Sequence, residues 1–325
     1  MNESTHKLLI LSLLKGIGPA TLRKLALLPG FADQSIERLA TQVPKLARAL
    51  EVPDAWQLAS AAAQHQREMA RNHAATILSL FDARFPLLLA AVNDAPPILY
   101  VAGTLPEPDR GAVAIIGTRD PTPHGALIAA RIGTDFAEHG WSVVSGLALG
   151  CDGAAHSACL DAGGHTVAVM AHGLQTITPT QHRTLAERIL SSGGALVSEF
   201  PFGQEPHAPL FARRDRTQAA LAHGVIMVQS RLDGGSLHAA RAALDYGRWL
   251  AVPYPTERDR ASASANIAAN MVLAEGRPEQ RQSLLDCDIG ALAQVTILRD
   301  KSGYIDLRAQ TPPGARDAHW GGDAR

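Results

Sequence analysis

Two stretches of the sequence decide the fold: residues 113–119, VAIIGTR, and residues 143–152, VVSGLALGCD. Each begins with an apolar run typical of a β-strand, passes through glycine and opens into sequence that suits a helix. Strands that alternate with helices form a parallel sheet, and ligands bind outside the carboxyl ends of its strands. Because backbone N–H groups at helix starts attract anions, the two stretches predict one anion site, most simply for phosphate.

The same alternation continues to about residue 276 and predicts an α/β fold with a doubly wound, mainly parallel sheet. The strands predicted for this sheet are residues 113–116, 142–145, 166–171, 195–199, 225–229 and 249–252. Helical stretches are predicted between them at residues 123–139, 153–162, 181–190 and 236–246.

Three domains are predicted along the chain. Residues 1–80 have apolar residues at helical spacing and predict a small helical domain. Within it, residues 14–22 (LKGIGPATL) resemble a helix-hairpin-helix, although a plain interhelical turn fits the same residues. Residues 81–278 form the α/β domain. Residues 279–325 are a short extension, in which residues 295–298 and 304–307 predict a β-hairpin and the stretch from 311 predicts a disordered tail.

Composition narrows the class of protein. The chain has 325 residues with 46% hydrophobic residues, and its 30 basic and 31 acidic residues give a net charge of −1. Overall charge therefore does not favour nucleic acid, and such a partner needs a local basic patch. Three cysteines without a CxxC pair indicate neither a disulfide framework nor a zinc site. We expect a cytoplasmic protein without membrane span, metal or cofactor.

Two further segments add to the predicted anion site. Residues 209–216 (PLFARRDR) place three arginines after an aromatic ring, which suits a nucleic-acid backbone and a stacked base. A solvated helix start with Asp215 in an ion pair fits the same residues and is slightly preferred when they are taken alone. Residues 231–237 (RLDGGSL) place two glycines and a serine at a helix start. In the first turn, Gly117 permits close approach, Thr118 offers a hydroxyl and Arg119 a bidentate guanidinium. A solvated arginine in a βα turn is the plainer interpretation.

Asp152 and His156 are four residues apart on one predicted helix. They suit either an acid–base couple or a helix cap with a structural histidine, and we favour the second because no nucleophile accompanies them. The chain has no GxxxxGK[ST] loop and no GxGxxG at its first βα turn, which disfavours ATP hydrolysis and ordinary NAD binding.

Taken in order, these motifs resemble the DprA/Smf family, the DNA-processing proteins of bacterial transformation. The segments that carry the resemblance are residues 85–88 (FPLL), 94–100 (DAPPILY), 114–119 (AIIGTR), 143–156 (VVSGLALGCDGAAH), 198–201 (SEFP), 211–216 (FARRDR), 235–237 (GSL) and 270–276 (NMVLAEG). The resemblance implies an extended Rossmann-like domain that binds single-stranded DNA in a basic, glycine-lined pocket. It also implies a homodimer that hands the strand to a RecA-type recombinase, with no catalytic turnover.

By position in these motifs, the resemblance assigns DNA or phosphate binding to Gly117, Thr118, Arg119, Ser145, Gly146, Leu147, Arg213, Arg214, Arg216, Gly235 and Ser236. Two departures mark a divergent member. Leu149 stands where the family commonly has arginine, and Asp215 stands where it commonly has asparagine. The family's C-terminal winged helix is not visible in the sequence.

Two alternatives on the same fold stay open because of these departures. One is a regulatory or antitoxin-like partner of an operon-encoded toxin in a defence system, and the other is a sensor of a nucleotide ligand. A nucleotide phosphoribohydrolase is disfavoured, because residues 191–195 (SSGGA) lack the Pro-Gly-Gly-x-Gly-Thr pattern of that related group.

Overall fold

The computed structural model describes residues 1–310, and within them nine strands form one sheet in the order β1-β2-β6-β5-β4-β3-β7-β8-β9. The strands are β1 (Ala75–Ser79), β2 (Ile98–Gly103), β3 (Ala112–Ile116), β4 (Ser142–Ser145), β5 (Thr166–Met170), β6 (Ala195–Ser198), β7 (Gly224–Met227), β8 (Trp249–Pro253) and β9 (Val295–Leu298). Strand β2 pairs antiparallel with β1 and β6, and all other pairs are parallel. The predicted doubly wound, mainly parallel sheet is confirmed.

The helices alternate with these strands as the sequence pattern predicts. They are α1 (Glu3–Ser12), α2 (Pro19–Ala26), α3 (Ile36–Gln42), α4 (Pro44–Leu50), α5 (Ala55–Asn72), α6 (Leu87–Ala90), α7 (Pro123–Glu138), α8 (Cys151–Asp161), α9 (Arg183–Ser191), α10 (Ala208–Ala220), α11 (Ser236–Asp245), α12 (Glu257–Ala261), α13 (Ala268–Glu275), α14 (Pro278–Leu285) and α15 (Ser302–Ala309). Single 3₁₀ turns occupy Thr180–His182, Ala265–Ile267 and Ile289–Gln294.

Both faces of the central strands are covered by helices, so every residue of β3 is buried. Val113 and Ile115 pack with residues of α7 and α8 on one face. Ala114 and Ile116 pack with residues of α10 and α11 on the other face. This two-sided burial explains why the central strands read as continuous apolar runs rather than as alternating ones.

The N-terminal helices pack on the sheet through a shared apolar cluster that joins residues of α1 to α5 with Tyr100 of β2 and Phe202. The Gln66 amide of α5 also donates to the Phe202 carbonyl and accepts from the Phe202 N–H, at 3.0 and 2.8 Å. Leu14 and Ile17, in the turn between α1 and α2, are buried in this cluster. The domain boundaries near residues 80 and 278 and the DNA-binding role of this turn stay predictions.

The hairpin predicted for residues 295–307 is wrong. Residues 295–298 do form β9, but β9 adds to the sheet parallel to β8, and the second segment lies in helix α15. Tyr304 and Leu307 are three residues apart, so on a helix they share one face, and both are buried against the α7 side of the sheet. Burial of that face outweighs the β-type pattern. The predicted disordered tail from residue 311 lies outside the described residues.

The sequence predicts no membrane-spanning segment. Across residues 1–310, no helix combines the length and the apolar character needed to cross a membrane.

Candidate nucleic-acid interface

The parallel strands β3 and β7 lie side by side, so the loops that follow them meet at one edge of the sheet. A pocket of about 380 Å³ opens there. The loop after β3, the start of α10 and the loop before α11 all line it. The lining residues on which the site depends are Gly117, Thr118, Arg119, Ala148, Asp152, Phe211, Arg214, Asp215, Arg231, Gly235, Ser236 and His238. The first and third predicted glycine turns are therefore brought together.

Helix α11 begins at this pocket, with Gly235 as its N-terminal cap residue and no side chain accepting from its first N–H groups. Gly235 faces open space, because a Cβ built on it meets no atom within 4 Å. Ser236 keeps its hydroxyl occupied by donating to Ser230 Oγ at 2.9 Å. The Leu237 and His238 N–H groups donate to the Gly234 and Gly235 carbonyls at 3.1 and 2.9 Å. Within residues 1–310, the Gly235 and Ser236 N–H groups are therefore the ones left to meet an anion at this helix start.

The turn after β3 is fixed by its backbone. The Thr118 N–H donates to the Gln229 carbonyl at 2.8 Å, and the Thr118 carbonyl accepts from the Cys151 N–H at 3.2 Å. Gly117 leaves no room for a side chain, since a Cβ there falls 2.5 Å from Cys151 Sγ. The sequence predicted Gly117 for close approach to a ligand, and the structure shows that it also allows close packing on α8.

Arg119 is the exposed cation of the pocket. Its guanidinium carbon lies 5.1 Å from the centre of the Phe211 ring, and no carboxylate pairs with it within residues 1–310. Arg231, the other exposed arginine of the lining, is engaged by Asp233 at 3.1 Å. Arg119 is thus placed to meet an incoming anion without first giving up an ion pair.

The second predicted turn, residues 143–152, contributes Ala148 and Asp152 to the pocket, but its first part lies beneath the surface. Ser145, Gly146 and Leu147 are all buried and do not line the pocket. The Ser145 hydroxyl donates to the Ile115 carbonyl at 2.6 Å, and Leu147 belongs to the apolar cluster beneath the N-terminal helices. Gly146 is covered by the Arg214 guanidinium, whose Nη1 lies 2.3 Å from where a Cβ would stand. These residues lie beneath the pocket, and their contact with a bound strand stays a prediction.

The three arginines after Phe211 do not form one free cationic surface. Arg214 is buried and donates through Nη1 to the Gly146 carbonyl at 2.6 Å. Arg213 and Arg216 both turn to Glu199, at 2.8 Å each. The Glu199 side chain is buried, and a buried carboxylate is costly unless it is paired. Its ion pairs with the two guanidinium groups offset that cost. Contact of Arg213 and Arg216 with DNA stays a prediction, and Arg119 has the more open position.

Two carboxylates face the pocket and share the field of Arg214. Burial raises the pKa of Asp152 to about 6 against the opposing effect of Arg214, and nearby Asp215 adds to the rise. Burial also raises the pKa of Asp215, again opposed by Arg214, which donates to it at 3.0 Å. The carboxylate that the sequence placed among the arginines is therefore in the site, where it reduces the attraction for an anion.

Asp152 and His156 are not an acid–base couple, and Asp152 is not a helix cap. The Asp152 carboxylate accepts from the Gly146 and Ala148 N–H groups at 3.0 and 3.3 Å, which holds the buried turn rather than the start of α8. His156 Nδ1 bonds the Thr166 hydroxyl at 2.7 Å. Burial lowers the pKa of His156 to about 3, so the ring is neutral at physiological pH. The structural histidine favoured from the sequence agrees with these contacts, whereas the helix cap predicted at Asp152 is wrong, because Gly150 is the N-terminal cap residue of α8.

The aromatic ring predicted at the site, Phe211, lies in it, and Glu199, which the site prediction did not include, organises the arginines beside it. Phe211 lines the pocket and carries guanidinium groups near its ring, and Glu199 gathers Arg213 and Arg216. The motifs FARRDR and SEFP contain them, but their spacing along the chain does not show that Glu199 reaches α10.

Comparison with known proteins identifies relatives over most of the chain. A sequence model of the family described as DNA recombination-mediator protein A matches residues 76–279. Protein Smf from Synechocystis is 30% identical over 82% of this chain and 69% of its own length. Protein Smf from Escherichia coli is 41% identical over 53% of this chain and 46% of its own length. The chain thus spans about half to two thirds of these relatives.

Two solved structures are similar to the present one. DNA processing protein A from Streptococcus pneumoniae superposes with a TM-score of 0.67 at 24% identity, covering 85% of this chain and 99% of that chain. At this identity the likeness supports the fold alone. DNA processing protein A from Helicobacter pylori, described for its mode of binding single-stranded DNA, gives a TM-score of 0.58 at 26% identity. That match covers 72% of this chain and 95% of the other.

Proposed function

The chain belongs to the DNA recombination-mediator protein A family, and from that premise we propose that it binds single-stranded DNA without turning over a substrate. The backbone of the strand is held in the pocket at the carboxyl ends of β3 and β7. The observation that carries this proposal is that the start of α11, with the N–H groups of Gly235 and Ser236 free of backbone acceptors within residues 1–310, and the exposed, unpaired Arg119 line one opening. The described mode of the Helicobacter pylori protein supports it.

A phosphate fits between the N-terminus of α11 and Arg119. Gly235 leaves the approach to the helix N–H groups open, and the Arg119 guanidinium supplies two parallel donors to phosphate oxygens. This geometry reads no base edge, so the phosphate contact fixes the strand without selecting its sequence.

Phe211 supplies a stacking surface for a base next to that phosphate. Its ring is only half-buried and lines the same pocket, and Arg119, which lies over this ring in the free protein, moves to the phosphate and leaves the ring to the base. Stacking of a base on an aromatic side chain contributes about 1–3 kcal/mol and tolerates any base. Phosphate capture and stacking together suit a binder of single strands, whose bases are free, better than a binder of duplex.

The proposal is tested by fluorescence anisotropy with a labelled oligothymidylate over a series of salt concentrations. Arg119→Ala is expected to weaken binding and to lower the slope of log K against log salt by about 0.7, the value for one lost phosphate contact on a single strand. Arg71→Ala, at an exposed position of α5, is the matched control and leaves the slope unchanged. Binding that does not depend on salt, or equal slopes for both variants, contradicts the proposal.

We further propose that the protein acts as a homodimer and delivers the bound strand to a RecA-type recombinase, as the family resemblance implies. Light scattering after size exclusion measures the first, and co-elution with a recombinase on single-stranded DNA measures the second. A monomer at micromolar concentration contradicts the dimer. A recombinase that loads at the same rate without this protein contradicts the delivery role.

One observation favours a second candidate, a sensor of a nucleotide ligand. Asp152 and Asp215 both face the pocket, and a carboxylate there disfavours a polyanion more than a single phosphate. Its volume of about 380 Å³ lies within the usual range for small-molecule sites. Competition decides between the two functions: thymidine monophosphate that binds while oligothymidylate fails to bind supports the sensor and overturns DNA capture.

A further inference from the structure

A second cavity of about 460 Å³ lies far from the DNA pocket, along the opposite edge of the sheet. Its floor includes Leu78 of β1, Val101 of β2, Val167 of β5 and Val144 of β4. The cavity lies at the amino ends of the parallel strands, because its lining includes Ala112, the first residue of β3. It also includes Gly103, the last residue of β2, which runs antiparallel to its neighbour β6. The carboxyl ends of the parallel strands carry the DNA pocket, so the two openings do not share a wall.

The residues that line this cavity are spread across the sheet from β1 to the start of β3. From β1 to β3 the sheet crosses five strand spacings, which amounts to roughly 24 Å at about 4.8 Å each. The walls are mostly apolar, with Phe85, Leu105 and Leu221 among them. Apolar walls of this kind favour an apolar molecule, which leaves water when it binds against them. A linear hydrocarbon chain matches this shape better than a compact ring system.

Charge at the opening selects the head group. Arg84, in the loop after β1, and Arg110, directly before β3, both line the cavity and are exposed. Within residues 1–310 neither guanidinium has an ion pair or a side-chain hydrogen bond, and Glu107 is the one carboxylate of the lining. The opening therefore carries a net positive charge, which complements a carboxylate and opposes an ammonium group.

We propose that this cavity binds a linear apolar carboxylate, with its hydrocarbon chain lying along the sheet and its carboxylate at Arg84 or Arg110. The arginines pair with the carboxylate in charge-assisted hydrogen bonds while the chain leaves water. The site does not depend on the proposed DNA binding, since none of its residues lines the DNA pocket.

Titration calorimetry with dodecanoate, dodecanol and dodecylamine, all below their aggregation concentrations, tests the proposal on the full chain. We expect saturable one-to-one binding of dodecanoate, weaker binding of dodecanol and none of dodecylamine. Arg84→Ala or Arg110→Ala is expected to weaken dodecanoate binding about three- to tenfold and to leave dodecanol binding unchanged, because only the carboxylate uses the guanidinium.

Ala83→Trp provides a test of location that leaves the core intact. Ala83 is exposed yet lines the cavity, so the indole fills the opening, and dodecanoate binding is expected to fall at least tenfold. Ala61→Trp, at an exposed position of α5, is the matched control with the same gain in surface apolarity. Equal binding by both tryptophan variants, no saturable dodecanoate binding, or equal affinity for dodecylamine overturns the proposal. Oligothymidylate binding by the same samples reports on the DNA function separately.

Discussion

Removal of the Glu199 charge is expected to destabilise the protein while leaving its shape unchanged. The Glu199 side chain is 1% exposed and accepts from Arg213 Nη2 and Arg216 Nη2 at 2.8 Å each, with the Thr217 hydroxyl at 3.3 Å. Glu199→Gln keeps the volume and one acceptor oxygen. It leaves two guanidinium groups without their carboxylate and turns an amide N–H₂ toward one of them.

The loss of stability depends on whether each arginine finds water or another carboxylate once the Glu199 charge is removed. Breaking a buried ion pair by removing one partner costs about 3–5 kcal/mol. Arg213 is 35% exposed and can move into water, and Arg216, 17% exposed, keeps Asp94 at 3.1 Å. Because Arg213 can be hydrated and Arg216 keeps an ion pair, we expect a loss at the lower end of this range, about 3 kcal/mol in the free energy of unfolding.

Urea denaturation followed by circular dichroism measures this loss, with Glu187→Gln at an exposed position of α9 as the matched control. Arg216→Met alone and combined with Glu199→Gln completes a double-mutant cycle, in which we expect a coupling of about 1–3 kcal/mol between the two side chains. The reasoning fails if Glu199→Gln costs less than about 1 kcal/mol, because exposed pairs contribute no more than that.

Two further predictions concern the DNA pocket. Since burial raises the pKa of Asp152 to about 6, its charge is lost as pH falls from 7.5 to 5.5, and oligothymidylate should bind more tightly at the lower pH. Burial also raises the pKa of Asp215, which gains a proton in the same direction, so Asp152→Asn is expected to flatten the pH profile in anisotropy only partly; an unchanged profile contradicts the assignment. The methyl group of Gly235→Ala meets no atom within 4 Å, so this variant should keep its free energy of unfolding within about 0.5 kcal/mol while binding DNA several-fold more weakly. The methyl group of Gly117→Ala falls 2.5 Å from Cys151 Sγ, so that variant should lose about 1–3 kcal/mol in urea denaturation. Equal stability of the two alanine variants argues against the packing account.

Local pattern predicted the sheet because its central strands are buried on both faces. Continuous apolar runs such as residues 113–116, broken by glycine and followed by helical spacing, have few other folds open to them. The prediction of a β-hairpin was wrong in a segment that has no such continuous apolar run. Tyr304 and Leu307 suit a strand by residue type, but packing near Phe136 selected a helix, and no feature within that segment shows its distant partner.

The candidate site, like the fold, was predictable from the sequence only in part. The turns at Gly117 and Gly235 were predictable, because parallel strands bring the loops at their carboxyl ends to one edge of the sheet. The burial of Ser145 and the capture of Arg213 by Glu199 were not. A motif states which residue types are adjacent in the chain, and it does not state which way each side chain turns.

The sequence by itself determined the family, the alternation of strands and helices, and the edge at which an anion can bind. These follow from local periodicity and from glycine at strand ends, which act over a few residues. Only the tertiary structure decided which cations are free. Burial makes an unpaired charge costly, so arginines within reach of Glu199 and Asp215 pair with them, and Arg119 remains exposed and without an ion pair in the pocket at which α11 starts.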